Sequence, residues 1–398
     1  MKGSKGFMLM ILAAFVVLAL PASSFAARPG FDDKEIRIAQ WGPQTGPAAP
    51  WGSVARGSGL LFTLVNEAGG IHGRKIKYYI RDDQYNPAQT KAAVKELVER
   101  EGIFAFVGGV GAAGGLAVKD YLAQNKVVWV APSTAINEYV FPPNPYLFAL
   151  YPLYDDEASI LTKYAVEKLG VKKLGFFYQN DTYGKSGLDG CRDRMKALKR
   201  QLIEEVPVEP GEKDLSSQML RLKNSGADAV IMWVNPTSAA IALKTAATIG
   251  FKPQWISSNT LSDYPLMNKI TGGMWEGVIT GMFGIPADAN VPVMNRYREA
   301  AKKYAPEERF GTFYTAGIMY AEPLVDALRR VGPKLSTEAF LKALNSTKNF
   351  QGIGPLVNWS PTVHQGTDSI QIMKCGPNSS YVVLQNWTPN ELATWKKK

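Results

Sequence analysis

The sequence predicts an α/β protein of two Rossmann-like, doubly wound lobes joined by a three-stranded hinge. Three observations carry that expectation. Short apolar strands alternate with amphipathic helices from residue 35 onward, and the alternation restarts near residue 155. Long apolar-faced helices then appear again after residue 290, so the chain must return to cover its first half.

In order, residues 35–41 form an apolar strand, and 53–67 carry helix-period apolar positions up to the Gly69-Gly70 stop. Residues 75–81 alternate as a strand, 87–100 read as a helix behind Pro87, and 104–107 as a buried strand. Helix 114–124 and strand 127–130 complete the first half. The second half reads as helix 155–169, strand 173–178, helix 184–200, strand 202–206, helix 216–224, strand 229–233 and helix 237–249. Strands 254–257 and 276–281 follow, then helices 291–304, 312–331 and 337–344, and short strands near 356–359, 369–374 and 381–385. Crossings near Leu150, Gly281 and Val357 divide the chain into residues 27–150 plus 281–356 and residues 151–280 plus 357–398. Ligands of open α/β sheets sit beyond the carboxyl ends of the strands, so two facing lobes make a cleft between them.

Residues 1–26 read as a cleavable export signal: Lys2 and Lys5 precede an apolar run at 7–20, and small residues end the segment at Ala26-Ala27. The run is shorter than the roughly 20 residues of a membrane span. No cysteine lies near the cut, so the expected product is a soluble periplasmic protein without a lipid anchor.

Hydrophobic residues at 46% and charged residues at 20% describe a globular protein with a sizeable core. The formal charge of +10 is scattered among acids, as in Lys95-Glu96, and no basic stripe with interleaved aromatics is present, which argues against nucleic acid. Cys191 and Cys375 lack metal-ligand spacing and read equally as one disulfide or two buried thiols. His72 and His364 are isolated, read as surface residues, and leave no metal site to propose.

Gly109-Val110-Gly111-Ala112-Ala113-Gly114 spells G-x-G-x-x-G, but it follows the third strand of its half and no acid ends the next strand. It reads as a tight turn that lets backbone approach a ligand, not as a dinucleotide site. Gly184-Lys185-Ser186 lacks the upstream glycine of a phosphate loop, and no nucleophile–base arrangement can be built, so no cofactor and no catalytic residue are expected. Asp82-Asp83 reads as a turn or capping pair. Trp41, Trp51, Tyr151, Tyr154, Tyr183, Trp233 and Phe283 fall at strand ends or just after them, where ligand-stacking side chains would converge.

Several pieces form an ordered series. They are Gly42-Pro43-Gln44-Thr45-Gly46-Pro47 with Trp51-Gly52, then Asn66-Glu67-Ala68-Gly69-Gly70-Ile71-His72-Gly73-Arg74 and Asp82-Asp83-Gln84-Tyr85-Asn86-Pro87. Val107-Gly108-Gly109, Pro132-Ser133-Thr134-Ala135 and Asp181-Thr182-Tyr183-Gly184 complete it. The series resembles the type I periplasmic binding proteins of ABC importers, in their branched-chain amino-acid (Leu/Ile/Val-binding) class, over nearly the whole mature chain. The resemblance implies a monomeric two-lobed clamp that closes on a small molecule and hands it to a cognate ABC permease in the inner membrane. By position it implies that Trp51 covers the ligand body and that Gly111, Ala112 and Ala113 lie where backbone amides and a hydroxyl hold a carboxylate. Ser133, Thr134 and Ala135 would be the other half of that anion site, Tyr183 the closing aromatic of the second lobe, and Asn235 a further contact. Tyr151 and Phe283 join them as aromatics at the lobe crossings.

Two departures shape the ligand expected. The carboxylate-side hydroxyl is missing at Ala112-Ala113-Gly114, and Asn259 is neutral where the class carries the acid that pairs with an α-ammonium. The expected ligand is therefore a small carboxylate with an apolar or aromatic body and no α-amino group. A branched-chain or other amino-acid receptor, and a ligand-sensing subunit for a membrane chemoreceptor or kinase, are the alternatives.

Overall fold

The structure is a computed structural model that describes residues 30–393. The expected export segment at residues 1–26 lies outside the described residues. The first sheet contains β1 (Glu35–Gly42), β2 (Lys75–Asp82), β3 (Ala105–Val107), β4 (Val128–Val130) and β5 (Leu147–Phe148), all parallel in the order β2-β1-β3-β4-β5. The second contains β6 (Leu174–Gln179), β7 (Glu204–Val208), β8 (Ala229–Trp233), β9 (Gln254–Ser257) and β10 (Ile279–Met282). Two antiparallel strands, β11 (Ser369–Cys375) and β12 (Tyr381–Pro389), extend it to seven in the order β12-β11-β10-β9-β8-β6-β7. The parallel part of each sheet has the same doubly wound order, 2-1-3-4-5 counted within its own half.

Burial follows from composition. The inner strands β3, β4 and β8 are apolar and buried at every residue, as parallel strands covered on both faces must be. Trp41 and Trp129 lie with ring centroids 4.8 Å apart inside the first core, so Trp41 is core and not site, and Trp233 is likewise fully buried. The long helix Thr312–Val331 returns to the first sheet and packs on helix Ser53–Glu67. Their contact is so close that a Cβ on Gly57 would lie 1.8 Å from the Tyr314 carbonyl oxygen, and one on Gly317 would lie 1.9 Å from that of Val54. Glycine is required on both sides of that crossing.

The chain passes between the sheets three times. Residues 149–153 lead from β5 to helix Tyr154–Glu167, and residues 283–285 leave β10, where Ile285 N–H donates to the Ile353 carbonyl at 2.8 Å. The third passage comes later than the expected Val357. Trp359 Nε1 still donates to the Ala149 carbonyl (2.8 Å), as does Gly366 N–H (2.7 Å), before β11 begins at Ser369. The expected strand at 356–359 is only an isolated bridge between Phe350 and Val357; Pro355 and Pro361 remove the N–H donors a ladder needs. His364 is not on the surface. It is buried, stacked on Phe148 at 4.1 Å, and bonded through Nδ1 to the Asn144 and Leu147 carbonyls. Cys191 and Cys375 are free and buried, the first taking the Thr162 hydroxyl on its sulfur (3.1 Å).

Candidate functional site

Loops leaving the carboxyl ends of both sheets meet around a cavity lined by side chains of both lobes. The lobes are drawn together over it. Trp51, on a short turn after β1, donates its indole N–H to the Thr260 carbonyl after β9 (2.9 Å), and the Thr237 hydroxyl donates to the Pro47 carbonyl (2.8 Å). Buried Asp263 pairs with Arg309 Nη1 at 2.6 Å and also accepts the N–H groups of Leu266 and Phe313, so it is held outside the cavity wall.

Seven of the expected residues and one expected glycine reach the wall: Trp51, Gly111, Ser133, Thr134, Tyr151, Tyr183, Asn259 and Phe283. Gly111 has φ 108°, a left-handed conformation open to glycine, and a Cβ there would lie 3.1 Å from the Tyr85 ring. Trp51 and Tyr183 meet edge to face at 6.0 Å, and Phe283 lies 4.4 Å from Tyr151. The other four do not line this cavity. Ala112 is buried, with its carbonyl accepting from the Tyr139 hydroxyl (3.0 Å), and Ala135 accepts Tyr154 N–H through its carbonyl (2.9 Å). Asn235 caps helix Pro236–Thr248, taking Ser238 N–H on Oδ1 and donating Nδ2 to Gln179 (2.9 Å). Ala113 opens onto a neighbouring cavity that holds Asp83 and Asp181. The backbone-amide cradle expected at residues 111–114 thus contributes only Gly111 to the main wall.

Other lining residues were not singled out from the sequence. Thr312, Phe313, Thr315, Ala316, Met319 and Tyr320 all come from one helix. Their spacing is one helical face, and that periodicity is the signal that could have found them. Tyr85 follows β2 in left-handed backbone (φ 62°), accepts from Gln179 Nε2 of the second lobe (3.3 Å), and separates the main cavity from the neighbouring one. Tyr154, noted only among the strand-end aromatics, lines the wall and donates to Thr134 Oγ1 at 3.2 Å.

Among the described residues, the wall carries no Asp, Glu, Lys, Arg or His side chain. A carboxylate lies one layer behind it. Glu157 is fully buried at the start of helix Tyr154–Glu167 and accepts the backbone N–H and Nδ2 of Asn259, each at 2.6 Å, and the Ser258 hydroxyl at 3.2 Å. Burial pushes its carboxyl up to about 8, and those three hydrogen bonds oppose the rise. Burial likewise raises the phenols of Tyr151 and Tyr183 well above their ordinary range, so they are neutral hydroxyls. Among the described residues no group of three His, Cys, Asp or Glu side chains could hold a metal ion, and no helix is long and apolar enough to cross a membrane.

The sequence profile of the family described as periplasmic binding protein matches residues 35–380. Among curated relatives, a Leu/Ile/Val-binding protein homolog 3 of Brucella melitensis is 26% identical over 365 residues, covering 89% of this chain and 96% of that protein. A Leu/Ile/Val-binding protein of Citrobacter freundii is 24% identical, covering 86% and 90%. Among solved structures, a fatty acid ABC transporter substrate-binding protein from Thermomonospora curvata superposes with a TM-score of 0.84 at 25% identity, covering 91% of this chain and 94% of that one. A branched-chain amino acid ABC transporter protein from Thermus thermophilus with bound valine gives 0.81 at 20% identity, covering 90% and 98%, which speaks to fold alone.

Proposed function

The chain belongs to the periplasmic binding protein family, and on that premise we propose that it is the receptor of an ABC importer whose ligand has an apolar or aromatic body and no ammonium group. The observation that carries the ligand class is the absence of any charged side chain from the cavity wall. Enclosing an ammonium there without a partner would cost several kcal/mol, on the order of a thousandfold in affinity. Apolar burial supplies the opposite sign. A ligand that hides about 200 Å² of apolar surface gains about 5 kcal/mol at ~25 cal/mol per Å². A carboxylate or other acceptor head would be met by the Ser133 and Thr134 hydroxyls and the Gly111 backbone, without a cation. Closure then follows from contacts that only the closed form makes, between Trp51, Ser133 and Thr134 on one lobe and Tyr183 and Asn259 on the other. The receptor delivers its cargo to the cognate permease in the inner membrane.

The names of the Leu/Ile/Val-binding relatives favour a second reading, an amino-acid receptor. A thermal-shift panel separates the two. Aromatic or short aliphatic acids should raise the melting temperature; stabilisation by leucine or valine with none from the acids would overturn the ammonium-free reading.

A further inference from the structure

Glu157 touches nothing in the cavity, yet two chains of hydrogen bonds run from it to the wall. A carboxylate only accepts. Asn259 therefore turns Nδ2 toward Glu157 and presents Oδ1 the other way, where it takes the hydroxyl hydrogen of Tyr151. Ser258 uses its hydrogen on Glu157, so its oxygen takes the Thr260 hydroxyl hydrogen at 3.1 Å. Thr260 Oγ1 is then free to take the hydrogen of Tyr183. Both tyrosines line the cavity, and both reach it with lone pairs only. Space is kept for the acid: a Cβ on Gly281 would fall 2.0 Å from its Oε1.

We propose that Glu157 is the positioning residue that sets the hydrogen-bond polarity of Tyr151 and Tyr183, so that with the carboxylate ionised the ligand must bring a donor, a hydroxyl or amide N–H, to that wall. The proposal rests on reading the cavity as the ligand site and narrows the ligand to an apolar molecule with both an acceptor and a neutral donor. It also has a reversed state. A protonated Glu157 must donate, either to Ser258 Oγ or, once the Asn259 amide turns over, to its Oδ1, so one chain turns round and its tyrosine offers a hydrogen. With the carboxyl raised to about 8, both states are reached close to neutrality. The titratable groups that interact with Glu157 are Tyr151, Tyr154 and Tyr183, and among the described residues no basic side chain is paired with it.

The test uses calorimetry with 2-hydroxy-4-methylpentanoate and mandelate, each against its O-methyl ether, at pH 6 and pH 9.5. An ether accepts but does not donate. The hydroxyl member should bind at least tenfold tighter at pH 9.5, and the ratio should shrink at pH 6. Glu157→Gln should flatten that pH profile, and Ser258→Ala, which cuts only the Tyr183 chain, should remove part of the preference. A ratio independent of pH in the wild type, or ethers that bind as well as hydroxy acids at pH 9.5, would overturn the proposal. If leucine alone binds, the ammonium-free reading fails, and the relay is judged on leucine: unchanged leucine affinity in Glu157→Gln overturns it, and a loss supports it. Binding by none of these probes would overturn both.

Discussion

Replacing Glu157 by glutamine should change how stability depends on pH. The native carboxyl stays protonated up to about pH 8, against about 4.5 for an ordinary glutamate. Between those values the folded protein holds a proton that the unfolded chain has released. Stability is therefore full below about pH 4.5, falls as pH rises, and levels off above about 8. At 1.36 kcal/mol per decade the gap amounts to about 5 kcal/mol for this fully buried group. The substituted amide would be neutral throughout and would lose that slope. It would also face Ser258 and Asn259 with a nitrogen in place of an acceptor, at about 1–2 kcal/mol. The expected result is a variant slightly less stable than wild type at pH 5 and about 3 kcal/mol more stable at pH 9, read from urea unfolding at pH 5, 7 and 9. Other raised acids such as Glu322 tilt both curves alike and cancel in the difference. Parallel curves for the two proteins would refute the reasoning.

Tyr183→Ala should weaken binding of whichever acid proves stabilising by at least tenfold in calorimetry, because it removes the ring between Trp51 and Tyr154 and the hydroxyl on Thr260; far-UV circular dichroism should keep its native shape. Gly111→Ala should lose about 1–3 kcal/mol of stability in urea titration, since φ 108° strains any L side chain and the new methyl meets Tyr85. Arg309→Met leaves Asp263 without its cation between the lobes and should cost about 3 kcal/mol. Small-angle scattering of that variant should show a larger radius of gyration as the lobes part.

Much of the fold was legible because strands and helices differ in apolar period. The strand order within each sheet was not, since pairing depends on crossovers that periodicity does not encode. The site was legible where it depends on position after a strand: Trp51, Ser133, Thr134, Tyr183 and Asn259 all lie in the loop or at the helix start that follows one, and ligands of such sheets lie there. It was illegible where chain direction misleads. Asn235 also follows a strand, yet its side chain turns back to cap the helix that starts beside it, as an asparagine before Pro236 is prone to do. Tyr320 reaches the wall from a helix distant in sequence from any of the loops, and Glu157 sits buried at a helix start among other acids, with nothing in the sequence to single it out. His364 has no local apolar period at all; its burial is produced by the segment that docks on Phe148.

Tyr85 sets the boundary of the cleft. Its ring stands between the uncharged chamber and the neighbouring space beside Asp83 and Asp181, and Val110 and Gly111 are shared by both. The ring is fixed there from both lobes, packed on Trp51 at 5.6 Å and taking a hydrogen from Gln179 Nε2 at 3.3 Å. The residue in the turn after β2 therefore marks where the uncharged chamber ends and the carboxylate-lined space begins, and its side chain is held by the second lobe as well as the first.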